Sequence, residues 1–344
     1  MVWFLASLLK MDFLLLLLTF SAASQTCHHT GEPCPTVCAC SSSGTSGLEV
    51  SCSNASLTHF PTECLPLDTR ELSIQSTNLS EITASHLRGV PQLKNLQLYH
   101  NKLKLLPADI LRHVSSLEVL DLTGNQLVSL PPNIFHHSAL RSLILKNNLM
   151  EKLDAEWFSD NNALTWLDLS VNRLAELPHA FLQNLKHLKI LDLSQNQLRV
   201  IPPDSLKNLL HLETLNLSGN KLSTLNASTF SHNRRLVQLF LQENDLHHLP
   251  ATIFQGLHGL EMILLTQNKL QHLNFGLLDD QNSTRFQLLL SMNHWSCDRQ
   301  IEYLWKWICD HPHRVVFLQE VLCSGPAALE NRQVVSLTRA EIMS

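Results

Sequence analysis

The sequence has little glycine, little tyrosine and little charge. Its 344 residues include 10 Gly and 2 Tyr, and Asp, Glu, Lys and Arg together make up 16%. No tract has the composition of a disordered region, and the only low-complexity patch, SSSGTSG at 41–47, predicts a loop. Since 44% of the residues are apolar, the chain has enough apolar surface for a large core, and we expect it to fold.

The sequence also lacks the motifs that mark the common enzyme classes. It contains no nucleophile elbow, no HExxH zinc motif and no phosphate-binding loop. The C-x3-C-x-C spacing at 34–40 resembles a metal site, but in an exported chain such cysteines more often form disulfides. We therefore expect no enzymatic activity, no cofactor and no metal.

Only the N-terminal segment has an uninterrupted apolar run of note. The stretch MDFLLLLLTFSAASQT follows Lys10, is apolar over 13–20, and places Ala22 and Ser24 at the spacing that a signal peptidase reads. A signal anchor is the alternative, but a membrane span needs about 20 apolar residues. We predict that residues 1–24 are a signal peptide and that the product is secreted, without a membrane span.

The charge balance does not favour nucleic acid or an anionic membrane as a partner. The predicted signal peptide contains one cation, Lys10, and one acid, Asp12. Its removal changes the totals from 25 Lys+Arg and 30 Asp+Glu to 24 and 29, so the net charge stays at −5.

The cysteines lie in two groups near the ends of the chain. None occurs in the 232 residues from 65 to 296, and the nine are at positions 27, 34, 38, 40, 52, 64, 297, 309 and 323. In an exported protein this arrangement predicts disulfides at both ends. Because nine is an odd number, at least one thiol is free or pairs with another chain.

A repeat of about 24 residues fills the region between these groups. LTWLDLSVNRLAELPHAFLQNLKH, from 164, is followed 24 residues later by LKILDLSQNQLRVIPPDSLKNLLH. The pattern L-x-x-L-x-L-x-x-N-x-L places Asn at 101, 125, 148, 172, 196, 220, 244, 268 and 293. A further copy at 69–79 has Thr77 where the Asn should be. So constant a period predicts a repeat solenoid.

Each position of the repeat has a physical role. The alternating Leu-x-Leu predicts a short strand whose leucines point inward and whose x residues point outward. The Asn side chain is suited to bond backbone groups where the chain leaves the strand. Later apolar positions, such as Leu130, Pro131 and Phe135, should fill the core from the convex side. The prediction is an α/β-type repeat solenoid with a parallel sheet on its concave face.

The pattern is typical of the leucine-rich repeat, and both ends resemble the caps of extracellular members of that family. CPTVCAC at 34–40 with VSCSNASLTHFP at 50–61 resembles the N-terminal cap, which implies the pairs Cys34–Cys40 and Cys38–Cys52. NHWSCDRQIEYLWKWICDH at 293–311 with CSGP at 323–326 resembles the C-terminal cap, which implies Cys297–Cys323. Pairing Cys27 with Cys64 is a guess that leaves Cys309 alone.

The resemblance and the period together give a division of the chain. We expect a signal peptide at 1–24, a cysteine-rich cap at 25–68, about nine repeats at 69–292 and a second cap at 293–344. Within the second cap, Ile301, Leu304, Trp305 and Ile308 fall at helical spacing and should cover the last coil.

Function should be carried by the outward positions of the strands. The column between the two strand leucines reads Ser73, Gln97, Asp121, Ile144, Asp168, Asp192, Asn216, Phe240, Leu264 and Leu289. Its middle is acidic and its last third is apolar. Trp166, Ile190 and Met262 precede this column by two residues, and Tyr99 and Lys146 follow it.

We predict that a protein partner, basic in charge, binds this column. The partner-binding residues are predicted to be Tyr99, Asp121, Trp166, Asp168, Asp192, Phe240, Met262, Leu264 and Leu289. The alternative for the carboxylates is that Asp in LDLS is a solvated filler of the repeat. For the apolar third we expect an exposed patch, since soluble proteins seldom expose contiguous apolar surface without a use.

Sequons predict N-linked glycans at Asn54, Asn78, Asn216, Asn226 and Asn282. Asn216 lies in the concave column itself, so a glycan there would separate the acidic middle from the apolar third.

The chain resembles, within this family, the plasma group formed by leucine-rich α-2-glycoprotein and the reptilian beta-type phospholipase A2 inhibitors. The resemblance is carried by LSIQSTNLSEI (72–82), LVQLFLQEN (236–244) and the cap segment WSCDRQIEYLWKW followed by CSGPAALENRQVVSL. It implies a blood plasma glycoprotein that binds a protein, with a basic secreted phospholipase A2 as the expected partner and homo-oligomers as the expected state.

Two other functions remain open at this point. One is a binder of a growth factor or another basic protein, as in the α-2-glycoprotein. The other is a proteoglycan of the extracellular matrix, for which the Ser-Gly pairs at 43–44 and 46–47 are candidate attachment points, although no strongly acidic run lies beside them.

Overall fold

A sheet of thirteen strands runs through the part of the chain that the structure describes. The computed structural model describes residues 34–42, 47–62 and 65–343. The predicted signal peptide, Cys27, Cys64 and most of the predicted loop at 41–47 lie outside these residues. Strands that follow one another along the chain are neighbours in the sheet, so the chain winds as a solenoid.

The sheet begins with an antiparallel hairpin and continues with parallel strands. Strands β1 (Ala39–Ser42) and β2 (Leu48–Cys52) form the hairpin. The parallel strands that follow are β3 (Thr69–Ile74), β4 (Asn95–Gln97), β5 (Val119–Asp121), β6 (Ser142–Ile144), β7 (Trp166–Asp168), β8 (Ile190–Asp192), β9 (Thr214–Asn216), β10 (Gln238–Phe240), β11 (Met262–Leu264) and β12 (Gln287–Leu289). The last strand of the sheet, β14 (Val315–Val316), comes from the C-terminal cap and pairs with β12.

The strand leucines form the core, as the alternation predicted. Leu191 in β8 and Leu193 just after it are fully buried, while Ile190 and Asp192 are half-buried on the other face. Neighbouring strands are in register at the 24-residue step, so that Asp168, Asp192 and Asn216 lie side by side. Buried aromatic side chains fill the convex side; the Trp157 and Phe181 rings, for example, meet edge to face at 5.4 Å.

The repeated asparagines form a ladder of buried hydrogen bonds between coils. Asn196 donates from Nδ2 to the carbonyls of Leu169 and Leu193 at 3.0 and 3.2 Å, and its Oδ1 accepts from the amide of Leu174 at 3.0 Å. The same bonds recur at the repeat asparagines from Asn125 to Asn293, for example at Asn125, while Asn101 Oδ1 accepts from Thr77 instead. Each side chain therefore satisfies backbone groups of its own coil and of the coil before it.

Thr77, which replaces Asn in the first copy, ends this ladder. Its hydroxyl donates to Asn101 Oδ1 at 2.5 Å and accepts from the amide of Leu79 at 3.1 Å. The strand before this coil is β2 of the N-terminal cap, and backbone bonds from Gln75 and Asn78 to the cap carbonyls of Cys52 and Leu57 join the two.

Disulfide-bonded caps close both ends. The structure has the disulfides Cys34–Cys40 and Cys38–Cys52 at the N-terminal end and Cys297–Cys323 at the C-terminal end. Cys309 is an exposed free thiol. In the C-terminal cap, β13 (Trp295–Ser296) pairs with β15 (Cys323–Gly325), and two helices follow the repeats: α1 (Glu302–Asp310) and α2 (Arg339–Met343).

Helix α1 covers the last coil with a slightly different face from the one predicted. Ile301, Leu304 and Ile308 are fully buried, but the buried tryptophan is Trp307, whose ring meets Phe286 edge to face. Trp305 is only partly buried, because its indole Nε1 reaches the carbonyl of Leu337 at 2.9 Å in the C-terminal tail. In the described part of the chain, no helix is long and apolar enough to cross a membrane.

We predict that Asn196→Ala lowers the free energy of unfolding by about 1–3 kcal/mol. The change leaves the buried Leu174 amide without its partner, and one such group costs about 1–3 kcal/mol. The Leu169 and Leu193 carbonyls each keep a donor, from Asn172 and Asn220. Denaturant unfolding measures this, with the exposed neighbour Gln197→Ala as control, expected within about 0.5 kcal/mol of the parent. Equal stability of the two variants would contradict the structural role of the ladder.

Candidate protein-binding face

The candidate site is the row of side chains on the face of strands β4 to β12 that points away from the core, which is the predicted concave face. Each strand is three residues long, and its first and last residues point away from the core. In register, the last residues form the predicted column, with Asp121, Ile144, Asp168, Asp192 and Asn216 in its middle. The predicted acidic residues are thus brought together, although Ile144 separates Asp121 from the other two.

The three carboxylates of the column also have a structural role. The Oδ1 atoms of Asp121, Asp168 and Asp192 each accept a hydrogen bond at 2.8 Å from the backbone N–H two residues later, at Thr123, Ser170 and Ser194. They turn the chain at the end of the strand. Asn216 makes the same bond with Ser218 at 3.1 Å, so an amide performs this role as well as a carboxylate does. The turn therefore accounts for one oxygen of each Asp and does not require its charge.

Asp168 is the most buried of the acidic side chains. Burial, together with the neighbouring Asp192 carboxylate, raises the pKa of Asp168 to about 6, while bonds from Ser170 and the charge of Lys146 act in the opposite direction. Asp192 is half-buried, and its Oδ2 accepts from Asn216 Nδ2 at 3.0 Å. Of this adjacent pair, Asp192 is therefore the carboxylate that a partner reaches more easily.

Aromatic and aliphatic side chains flank the carboxylates. Trp166 and Ile190 are half-buried at the first positions of β7 and β8. Tyr99 is also half-buried; its hydroxyl donates to Gln75 Oε1, and burial raises its pKa. The exposed Lys146 lies on the same side of the sheet, close enough to Asp168 to affect its titration. The face therefore combines apolar surface with carboxylates, which is the composition of an interface anchor.

The expectation of an exposed apolar third is wrong. Phe240, Leu264 and Leu289 are 5%, 5% and 2% exposed, and they form a small cluster with Met262 and Val316 packed against it. Two causes act together. Side chains of adjacent short strands cover one another along the row, and β14 adds Val316 next to Leu289. These residues therefore stabilise the C-terminal end of the sheet and offer little surface to a partner.

The sequence reasoning missed two exposed apolar residues near this end. Met292 and Phe317 are 66% and 42% exposed and follow strands β12 and β14. Met292 occupies the left-handed position that precedes the Asn of its repeat, with φ of 56°. The repeat register marks this position as outward-facing, so that signal was present in the sequence. Phe317 follows a strand that has no repeat pattern, so no comparable signal existed for it.

The five sequons lie in different environments. Asn54, Asn226 and Asn282 are exposed. Asn78 and Asn216 are half-buried, and their Nδ2 atoms donate to the Ala55 carbonyl at 2.6 Å and to Asp192 Oδ2 at 3.0 Å. Glycosylation at all five remains a prediction. Among the described residues, no group of three or more His, Cys, Asp or Glu side chains is arranged to hold a metal ion.

Comparison with known families matches the repeats. The family model described as "Leucine rich repeat" matches residues 69–127, 115–174, 167–222 and 186–246. Together these matches run from 69 to 246, which is 178 of the 344 residues and more than half of the chain.

Curated relatives match over a shorter stretch. Leucine-rich repeat-containing protein 3B from Bos taurus, Mus musculus and Homo sapiens is 38% identical over 78 residues. This stretch is 23% of the present chain and 29% of each relative, so the match spans less than a third of the length of these relatives.

Solved structures share the fold over most of the chain. A chain from the octameric complex of latrophilin 3, Unc5D and FLRT2 aligns with a TM-score of 0.73 at 24% identity, covering 90% of this chain and 99% of that one. A leucine-rich repeat protein of Leptospira interrogans aligns with a TM-score of 0.64 at 30% identity, covering 73% and 61%. A chain of the Drosophila Toll–Spätzle complex aligns with a TM-score of 0.56 at 18% identity, covering 84% and 54%.

We predict that Asp168→Asn stabilises the protein relative to the parent, and that this gain in the free energy of unfolding is larger at neutral pH than at acidic pH. Because the folded state raises the pKa of Asp168 from 3.8 to about 6, the parent loses stability as the pH rises through this range. At about 1.36 kcal/mol per pKa unit, the loss is at most about 3 kcal/mol. The Asn variant keeps the turn, as Asn216 does, and avoids the loss.

Urea unfolding at a pH of about 4 and of about 7.5 tests this prediction. Since the change creates an Asn-Leu-Ser sequon at 168–170, the proteins are produced in a host that does not attach N-linked glycans. The stability difference between variant and parent should be larger at the higher pH by about 2–3 kcal/mol. The exposed Asp160→Asn serves as the control and should show the same difference at both. A stability difference for Asp168→Asn that does not change with pH would show that folding does not raise the pKa of this carboxyl.

Proposed function

Because the chain belongs to the leucine-rich repeat family, we propose that it acts outside the cell and binds another protein through the concave face described above. The three disulfides of its caps support the extracellular location, since such bonds persist in oxidising compartments. The predicted signal peptide at 1–24 agrees with it. No catalytic role is assigned to any residue.

The observation that carries this proposal is the position of Asp192. It is half-buried in the centre of the face, between the buried Asp168 and the amide of Asn216, with Trp166 and Ile190 on the adjoining positions. Two carboxylates held about 5 Å apart repel each other, by roughly 1 kcal/mol in water and by more where the site is shielded from solvent. A cation from a partner relieves this repulsion, so the site favours a basic ligand.

The interface that we propose is smaller than the one the sequence predicted. Its members are Tyr99, Asp121, Trp166, Asp168 and Asp192. Because Asp168 is buried, it contributes mainly through the electrostatic field of its charge and not through direct contact. Phe240, Leu264 and Leu289 are left out because these side chains are covered by one another and by Val316. Met262 is left out as well, because it is half-buried against the same cluster. The proposed partner therefore covers the N-terminal and central coils.

A basic secreted phospholipase A2 is the specific partner that we propose, with inhibition by occlusion. Two features support this choice: the acidic centre of the face, and the resemblance of WSCDRQIEYLWKW and CSGPAALENRQVVSL to the plasma inhibitor group. A rigid sheet bound to the enzyme would keep it from its lipid substrate without any chemistry. A growth factor or another basic protein is the alternative partner for the same face.

We predict that replacing Asp121, Asp168 and Asp192 together by Asn weakens binding of the basic partner at least tenfold, or about 1.4 kcal/mol. It should also flatten the dependence of affinity on salt, because screening acts on the charges that were removed. The turns should remain intact, since Asn216 shows that an amide makes the same bond. Each change also creates an Asn-Leu-Thr or Asn-Leu-Ser sequon, so the parent and all variants are produced in a host that does not attach N-linked glycans. Surface plasmon resonance at two salt concentrations measures both effects.

The matched control removes three acids away from the sheet: Glu151→Gln, Glu156→Gln and Glu176→Gln, all exposed. It should leave the affinity nearly unchanged. Equal weakening by both triple variants would mean that net charge, and not the concave face, attracts the partner. Unchanged affinity in a folded concave variant would refute this face as the binding site.

The identity of the partner is tested separately, by capture from plasma and venom followed by assays of one basic and one acidic secreted phospholipase A2. Capture and inhibition of the basic enzyme alone would support the inhibitor role. Capture of a different basic protein, without phospholipase, would overturn that role and leave the concave face as the binding site. Mass measurement with and without chondroitinase tests the proteoglycan alternative; an unchanged mass would exclude it.

A further inference from the structure

One edge of the sheet is formed by the residues that immediately precede each strand, and the charged side chains along this edge are mostly paired. Lys94 and Glu118 approach to 2.8 Å, and Arg141 lies 4.0 Å from the same carboxylate. Lys189 and Glu213 meet at 3.0 Å, and Glu261 and Arg285 at 3.6 Å. These ion pairs join neighbouring coils and neutralise most of the charge along this edge locally.

In the central coils this edge has a second row of side chains, whose cations are not paired with carboxylates of the described residues. His187, His211 and Arg235 each lie three residues before the first residue of β8, β9 and β10, and these strands are in register. The His187 and His211 rings are stacked with centroids 6.2 Å apart and planes inclined by 22°. Arg235 Nη1 donates to His211 Nδ1 at 2.9 Å. The three side chains form a continuous stack across three coils.

This stack holds the Arg235 guanidinium in place without neutralising its charge. A histidine nitrogen that accepts from Arg235 belongs to an uncharged imidazole, so the guanidinium is oriented while its charge stays uncompensated. Lys186 and Arg234, the residues before His187 and Arg235, are exposed. In the described part of the chain, neither of them nor Arg235 has a carboxylate within ion-pair distance. We call Lys186, His187, His211, Arg234 and Arg235 the basic edge.

We propose that the basic edge binds a linear sulfated polysaccharide of the glycosaminoglycan class. Guanidinium groups match the oxygens of sulfate with paired hydrogen bonds, and a guanidinium already oriented by His211 loses less entropy on binding. The cations are spread along successive coils, over about 10 Å at roughly 4.8 Å per strand. A polymer with anions along its length fits this row, as a single small anion would not.

An anionic membrane fits the basic edge less well. Binding to a lipid surface uses apolar residues that enter it beside the cations. Of the two large exposed apolar side chains between Lys186 and Arg235 in the chain, Val200 and Leu210, only Leu210 lies next to a residue of the basic edge. A linear polysaccharide needs no such insertion. The negative net charge of the whole chain, −5, also opposes a broad anionic surface, while a narrow polymer lies only on the basic edge.

This inference is independent of the concave site. The basic edge precedes strands β8 to β10, whereas Asp168, Asp192 and Asn216 lie at the last positions of β7, β8 and β9. The two surfaces have opposite charge and do not share a residue. A protein partner on the concave face and a polysaccharide on the edge can therefore be bound together.

The test uses the whole secreted protein, with immobilised heparin and chemically desulfated heparin as probes. Replacing Lys186, Arg234 and Arg235 together by Gln should lower the affinity for heparin at least tenfold. The matched control, Lys104→Gln, Lys152→Gln and Lys221→Gln, removes three exposed cations from separate coils and should change the affinity less than twofold. Thermal unfolding should show that both variants fold like the parent.

Each other outcome overturns the proposal. Equal loss in both variants, or equal binding of desulfated heparin by the parent, would show attraction without a site. Binding to phosphatidylserine vesicles but not to heparin would assign the edge to a membrane. Failure here leaves the concave proposal untouched, because capture of the basic protein partner by the basic-edge variant is measured in the same experiment.

Discussion

The ladder of buried asparagines is the constraint on which the rest of the structure depends. A three-residue strand pairs only briefly with its neighbours, and the chain then leaves the sheet in a turn whose backbone groups are buried. Asn196 and its equivalents satisfy these groups in two successive coils at once. Because each side chain links a coil to the one before it, the coils stack at a fixed spacing, and the ladder can end where Thr77 takes the Asn position.

This spacing determines what the concave face can present. Each three-residue strand offers only two outward positions, and in register they become rows of side chains roughly 4.8 Å apart. The Asp residues at one of these positions serve two purposes, since Oδ1 turns the chain and the charge faces outward. The row arrangement also explains why the chain, with a net charge of −5, has surfaces of both signs. Acids gather on the concave face, and unpaired cations gather on the central part of the edge.

The sequence predicted those parts of the molecule that repeat. Leucine and asparagine positions indicated strands, register, core and ladder, because each residue type has one physical role that recurs every 24 residues. What the sequence could not predict depends on parts without a period. Strand β14 comes from the C-terminal cap and places Val316 against Leu289, which helps to bury the apolar third. The tail carbonyl of Leu337 likewise accepts from the Trp305 indole, which packs against the core while partly buried, and Trp307 is the more deeply buried of the two. Burial of Asp168 is a further case, since the letters LDLS at 167–170 and 191–194 are identical while the exposure of the two carboxylates differs.

The central claim is that a basic protein binds the concave face over its N-terminal and central coils. Hydroxyl-radical footprinting of the complex tests it most directly, because Trp166 lies on that face and Trp305 lies on the C-terminal cap as an internal reference. Partner binding should lower the oxidation rate of Trp166 and leave that of Trp305 unchanged. Protection of Trp305 with no change at Trp166 would contradict it and place the partner on the cap.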